Sequence, residues 1–266
     1  MLPTVPVITP GKTHKGLAVV AFIDLLGFSA NINEHWHDPT NNPLDVIQQL
    51  KKDIRTERKI GLVTAHFEGA VEYSPPRVTT VSDSIVIVHK LDKPSLVDFL
   101  GAFTTVMAAV SNAVNLAAKA GYAARGAVEL GHVFWDEDEI IGPCFNAAYY
   151  LESKVAKTAR IVMGPNALQV LKLNWKVNHT DVLIGGSFYV SSDGLVAIRP
   201  DQRAEADYRQ FKKDKPTFSE KYDEFISHCH FNTEYRLKYG ELTTGIEKLE
   251  SLGCTVDPKT VPPVAV

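Results

Sequence analysis

Apolar and polar positions follow one another along this chain in blocks that predict strands and helices in mixed order. Gly16 to Asp24 (GLAVVAFID) is a continuous valine-rich run ending in a carboxylate, the pattern of a strand buried on both faces. A polar loop, Asn31 to Asn42, leads to a helix from Pro43 to Arg58, in which leucines and isoleucines recur every three or four residues. Pro75 and Pro76 precede Arg77 to His89 (RVTTVSDSIVIVH), two β-branched arms around Ser82 and Asp83 that predict a hairpin. Leu96 to Ala120 is long and apolar enough to suggest a membrane span. Thr104, Thr105, Ser111, Asn112 and Asn115 interrupt it, however, and its phenylalanines and valines keep helical spacing, so a buried amphipathic helix is expected.

Tyr122 to Trp135 alternates small and β-branched residues and predicts a second strand pair, containing Gly126 and Gly131. After the acidic run Asp136 to Glu139, Gly142 and Pro143 open a helix from Cys144 to Thr158, with proline in the first turn, where its fixed φ is tolerated. Arg160 to Met163 reads as a short strand, and Gly164-Pro165-Asn166 opens another helix. Leu183 to Ile198 predicts a hairpin, and Gln202 to Leu252 a charged helical tail. The expected fold is therefore α+β, a sandwich of helices packed on a mixed or antiparallel sheet. Three units are expected: an irregular leader with three prolines at residues 1–14, the main domain at 15–200, and a helical C-terminal extension at 201–266.

With 266 residues, 45% of them apolar, the chain can bury a substantial core. Lys and Arg total 28 against 31 for Asp and Glu, so no basic surplus points to nucleic acid, and neither a nucleic-acid nor a membrane partner is expected. Cys144, Cys229 and Cys254 form no CxxC pair, and Met1 to Thr13 lacks a cationic start followed by an apolar block. A reducing, cytoplasmic setting is expected. His35-Trp36-His37 and His228-Cys229-His230 have no second cluster at zinc-site spacing and read as structural or surface residues.

Two carboxylates carry the candidate chemistry. Asp24 closes an apolar strand, where a buried charge needs a cation or donors, and Gly27 beyond it permits a tight turn whose N–H groups can cradle phosphate at a helix start. Asp24 acting only as a helix cap is the other reading. Asp83 alone is an ordinary turn residue. If its hairpin lies beside the Asp24 strand, the two supply hard oxygen ligands suited to Mg²⁺ or Mn²⁺. Arg125, inside an apolar strand, needs a buried carboxylate or carbonyl.

Four segments resemble a known family. FIDLLGFS (Phe22 to Ser29) is similar to the first metal-binding segment of class III nucleotide cyclases, and VSDSIVIV (Val81 to Val88) to the second. ARGAVELGHV (Ala124 to Val133) resembles their Arg-Gly-Ile segment, and GPCFNAAYYLE (Gly142 to Glu152) the segment opening the catalytic helix. They occur in family order over Gly16 to Pro165. The resemblance implies conversion of a nucleoside triphosphate to a 3′,5′-cyclic monophosphate and pyrophosphate by a homodimer with sites at its interface. It implies two Mn²⁺ or Mg²⁺ ions held by Asp24, Asp83 and the main chain at Ile23, substrate contacts from Gly27, Phe28 and Ser29, and a ribose contact from Asn146.

Departures from the family pattern bear on the substrate. Thr79 and Glu139 stand where adenylate cyclases usually carry Lys and Asp, and Tyr150 stands where the family carries an Arg. Without a Lys to donate to adenine N1, adenine is disfavoured. Glu139 can accept from uracil N3–H while Thr79 or Thr80 donates to O4. The alternative for Glu139 is one more solvated member of an acidic turn. A phenol at Tyr150 donates one hydrogen bond but carries no positive charge at pH 7, and Lys154 and Lys157 follow it at spacings of four and seven. The combination resembles the pyrimidine cyclases of bacterial Pycsar antiphage defence, which implies UTP as substrate, cUMP as messenger and a separate effector protein that binds it. A cytidylate or adenylate cyclase, or a catalytically silent nucleotide-binding module, are the alternatives.

Overall fold

The computed structural model describes residues 13–40, 42–56, 76–178, 187–199, 209 and 237–261. Most of the leader and of the expected tail helix, and the His228-Cys229-His230 cluster, lie outside them. The chain runs β1 (His14–Leu26), α1 (Phe28–His35), α2 (Pro43–Thr56), β2 (Arg77–Val81), β3 (Ser84–Lys90), α3 (Leu96–Lys119), β4 (Ala123–Trp135), β5 (Ile140–Ile141) and α4 (Pro143–Tyr150). A π-helical turn (Leu151–Val155), β6 (Ile161–Met163), α5 (Pro165–Asn178), β7 (Phe188–Val190), β8 (Val196–Ile198) and α6 (Tyr239–Ser251) follow. The α+β class expected from the sequence is the one that forms. Seven strands pair in the order β2-β3-β1-β4-β6-β8-β7, with β5 added to the end of β4, and β4–β6 is the parallel pair in an otherwise antiparallel sheet.

β1 lies between β3 and β4, which is why its sequence is a continuous apolar run. Its odd-numbered residues Val19, Ala21, Ile23 and Leu25 join the main core beneath α2, α3 and α5. Ala18, Val20 and Phe22 face the other way, into a smaller cluster under α4. The helix that is long and apolar enough to cross a membrane, α3, packs on this sheet through Phe99, Phe103, Val106 and Val110. Ser95 caps it by accepting a hydrogen bond from the Asp98 N–H. Along α6, Leu242, Ile246 and Leu249 are buried in the same core, and Gly245 lies against Val196.

Three local expectations are corrected. Tyr122 to Trp135 is not a strand pair but the single 13-residue strand β4. Its glycines mark close approach rather than a turn: a Cβ at Gly131 would sit 3.0 Å from Cys144 Cβ on α4, and one at Gly126 would strike the Phe22 carbonyl. The start of the expected polar loop is helical, as α1. The expected helix from Cys144 to Thr158 changes to π geometry at Leu151, and Lys157 beyond it has φ 29°.

Candidate active site

The β1 register sets Asp24 opposite Ser84 on β3 and opposite Arg125 on β4. Alternation along the strand directs Asp24 to the α4 face, with Phe22. Gly27, at φ 88°, reverses the chain in a left-handed conformation that favours glycine, and α1 begins at once. Phe28 is buried edge-on against Tyr122, ring centroids 5.6 Å apart, so it offers only its main-chain amide, whereas Ser29 is exposed. The N–H groups at this helix start have no intrahelical acceptor and suit an anion.

Asp83 sits in the two-residue turn between β2 and β3, beside a Ser82 with φ 54°. Lys51 of α2 holds the turn, its Nζ donating to the Ser82 carbonyl at 2.7 Å. Asp83 immediately precedes Ser84, the residue paired with Asp24, and its charge repels that of Asp24.

Arg125 is the cation of this cluster. Its Nε donates to Glu152 Oε1 at 2.6 Å, and Nη2 lies 2.6 Å from Glu152 Oε1 and 3.2 Å from Asp24 Oδ2. The need for a buried carboxylate, inferred for Arg125 from its apolar strand, is thus met twice. Burial, and then repulsion by Asp83, raise the Asp24 carboxyl above its ordinary value, and Arg125 pulls the other way. Burial also raises Glu152, opposed by Arg125 and reinforced by Asp24 and Asp83. Among the described residues the ion pairs here set one guanidinium against two carboxylates, with Asp83 a third negative group beside them and Lys51 at its turn.

Hard oxygen donors with a net deficit of positive charge fit Mg²⁺ or Mn²⁺. Among the described residues no three His, Cys, Asp or Glu side chains form a complete metal-binding group, so main-chain and substrate oxygens have to complete the shell. Ile23 is paired to Ile85 and to Gly126, which encloses its main chain between two ladders. The β1–β3 ladder ends at Asp24, so the main chain open toward the hairpin is that of Leu25 and Leu26.

Other expected site residues fall elsewhere. Thr79 pairs with Val86, and Val86 with Phe22, so Thr79 shares the Asp24 face. Thr80 pairs with Ile85 and faces the α2 and α3 side. Glu139 is exposed in a turn organised by Asp136, whose Oδ1 accepts from the N–H groups of Asp138 and Glu139. The turn follows the far end of β4, ten residues from Arg125, or about 33 Å along a strand.

Asn146 and Tyr150 are exposed on α4 at an i, i+4 spacing. Gly142 is the residue at the N-cap, so Asn146 is not one. Its side chain is exposed and has no hydrogen bond among the described residues. Tyr150 is 47% exposed, while Tyr149 packs on Phe22 with ring centroids 5.3 Å apart. Lys154 and Lys157 are exposed, and the π turn breaks their regular spacing from Tyr150.

Sequence reasoning missed two carboxylates. Glu152, its side chain only 4% exposed, became visible only with the π turn that carries it to Arg125. Glu129 on β4 is fully enclosed, and its Oε1 accepts from the N–H groups of Leu130 (2.8 Å) and Ala167 (3.0 Å), capping α5. Burial outweighs those bonds and pushes its carboxyl up to about 8. A carboxylate in a buried strand before a Gly-Pro-Asn helix start was the available signal.

No family model matches the chain, and no curated protein does. Solved structures do. The guanylyl cyclase Cya2 is 13% identical at a TM-score of 0.43, over 71% of this chain and 95% of that one. The guanylyl cyclase domain of the RhoGC fusion protein from the aquatic fungus Blastocladiella emersonii is 11% identical at 0.42, over 70% and 96%. A class III adenylyl cyclase-like ATP-binding protein from Pseudomonas aeruginosa is 17% identical at 0.41, over 62% and 39%. Superpositions this loose assign no residue a role, which leaves the geometry of the site itself.

Proposed function

We propose that this chain is a divalent-metal-dependent nucleotide cyclase that converts UTP to 3′,5′-cyclic UMP and pyrophosphate. The observation that carries the proposal is the placement of Asp83 in the turn just before Ser84, the residue paired with Asp24, so that the two carboxylates repel each other beside a left-handed Gly27 and the start of α1. Asp24 and Asp83 hold the ions, and the Phe28 and Ser29 amides take phosphate oxygens. Bound there, Mn²⁺ or Mg²⁺ lowers the pKa of the ribose 3′-hydroxyl and neutralises the triphosphate.

Glu139 lies beyond the far end of β4 from Arg125, and Asn146 and Tyr150 are exposed on α4, which supports a site assembled from two copies. In a homodimer the exposed face of α4 supplies the ribose contact from Asn146, and Thr79 and Glu139 read the base. Exposed Val81, Ile141, Tyr149 and Tyr150 offer apolar surface for the second copy. Glu139 accepting from N3–H selects uracil over cytosine, and the absence of a Lys at Thr79 disfavours adenine. In this reading cUMP is a cytoplasmic messenger in antiphage defence, sensed by a separate effector.

A second reading, a nucleotide-binding module without turnover, is favoured by one feature of the sequence: Tyr150, a phenol, stands where the family resemblance implies a cation for the α-phosphate. Incubating the purified protein with each of the four ribonucleoside triphosphates and Mn²⁺ separates these readings. Cyclic UMP as main product supports the proposal. Tight binding of nucleotide with no product supports the silent module, and cyclic CMP or cyclic AMP as main product supports the other substrates.

A further inference from the structure

We propose that Arg125, anchored by Glu152, is the counter-ion of Asp24 in the metal-free protein, which a divalent cation must displace. The Arg125–Glu152 pair then sets how strongly the site takes metal before nucleotide arrives. This rests on the reading of Asp24 as a metal ligand.

The grip of Arg125 is uneven. Two of its nitrogens, Nε and Nη2, lie 2.6 Å from Glu152 Oε1, whereas its one contact with Asp24 is 3.2 Å. Arg125 therefore yields Asp24 without becoming unpaired. The Glu152 side chain that holds it is only 4% exposed. The π turn at Leu151–Val155 supports a dedicated role, since π turns cost helix geometry and recur at functional sites.

A merely structural bridge between β4 and the π turn makes a different prediction, and Mn²⁺ binding without nucleotide tells them apart. Binding is read on the full-length protein from loss of the free-ion electron paramagnetic resonance signal, with thermal melting as the check on folding. The informative variant is Arg125→Gln with Glu152→Gln. It removes the buried Glu152 carboxylate together with its guanidinium partner and leaves Asp24 without its counter-ion. It also keeps the local sum: three carboxylates minus one guanidinium and two carboxylates alone both equal minus two.

The expected result is Mn²⁺ binding about three- to tenfold tighter than in the wild type, the scale of freeing one carboxylate from a close cation. Adding Asp24→Asn should abolish that gain. A folded double variant that binds Mn²⁺ as the wild type does, or more weakly, overturns the inference and leaves a structural bridge. Wild-type Mn²⁺ binding that is unchanged by Asp24→Asn alone overturns the metal reading itself.

Discussion

Arg125 lies directly across the β1–β4 ladder from Asp24, and its Nη2 contacts Asp24 Oδ2 at 3.2 Å and Glu152 Oε1 at 2.6 Å. A single guanidinium thus serves two carboxylates while Asp83 adds a third charge from the hairpin turn. The end of β1 is left short of positive charge where the chain turns at Gly27 to present main-chain amides.

A site divided between copies makes a complementation prediction. Asp24→Ala and Asn146→Ala proteins, each inactive alone, should regain activity when mixed, because half of the mixed dimers' sites are then intact. The measurement is UTP turnover after subunit exchange has been demonstrated with tagged protein. Demonstrated exchange without rescue would place the whole site in one chain.

In the proposed function, base choice turns on Glu139. Glu139→Gln keeps the shape but replaces an acceptor oxygen with a donor amide facing N3–H. UTP turnover should fall and the preference over CTP narrow, by roughly 1 to 3 kcal/mol in kcat/KM, the cost of one mismatched buried polar contact. Unchanged selectivity would return Glu139 to the solvated turn that Asp136 organises and leave Thr79 and Thr80 as the base readers.

Glu129 makes stability depend on pH. Its carboxyl is raised from an ordinary value of 4.5 to about 8, so between those values the folded protein holds a proton that the unfolded chain has released. Its contribution is complete below about pH 4.5, falls by up to about 1.4 kcal/mol per pH unit as pH rises, and levels off above about 8. Glu129→Gln carries no titrating proton, so its melting temperature should improve relative to the wild type from pH 6 to 8.5. A constant difference across that range would count against a protonated Glu129.

Much of the frame was readable from the chain because burial on both faces leaves a plain signature. The Gly16 to Asp24 run is β1, and the Ser82-Asp83 break is the hairpin turn. The carboxylate needed by Arg125 was also inferable, since a guanidinium in an apolar strand demands one. Which carboxylates answered was not, because Glu152 reaches Arg125 through a π turn that periodicity does not encode. Gly126 and Gly131 read as breaks because a glycine that admits a crossing backbone looks, in sequence, like one that turns. The separation of Thr79 from Thr80 follows from register, which pairs Thr79 with Val86 and Thr80 with Ile85.

The central claim is that Asp24 holds the catalytic metal of a cyclase, and the direct measurement compares wild type with Asp24→Asn. Both are incubated with UTP and Mn²⁺, and the products are identified by mass spectrometry. The wild type should yield 3′,5′-cyclic UMP and pyrophosphate in equal amounts. The substitution keeps the side chain's size and relieves repulsion from Asp83, so the variant should fold, with turnover reduced at least about a hundredfold by loss of an electrostatic contact to the transition state. Wild-type turnover by a folded Asp24→Asn protein, or UDP and phosphate as the wild-type products, would contradict the account.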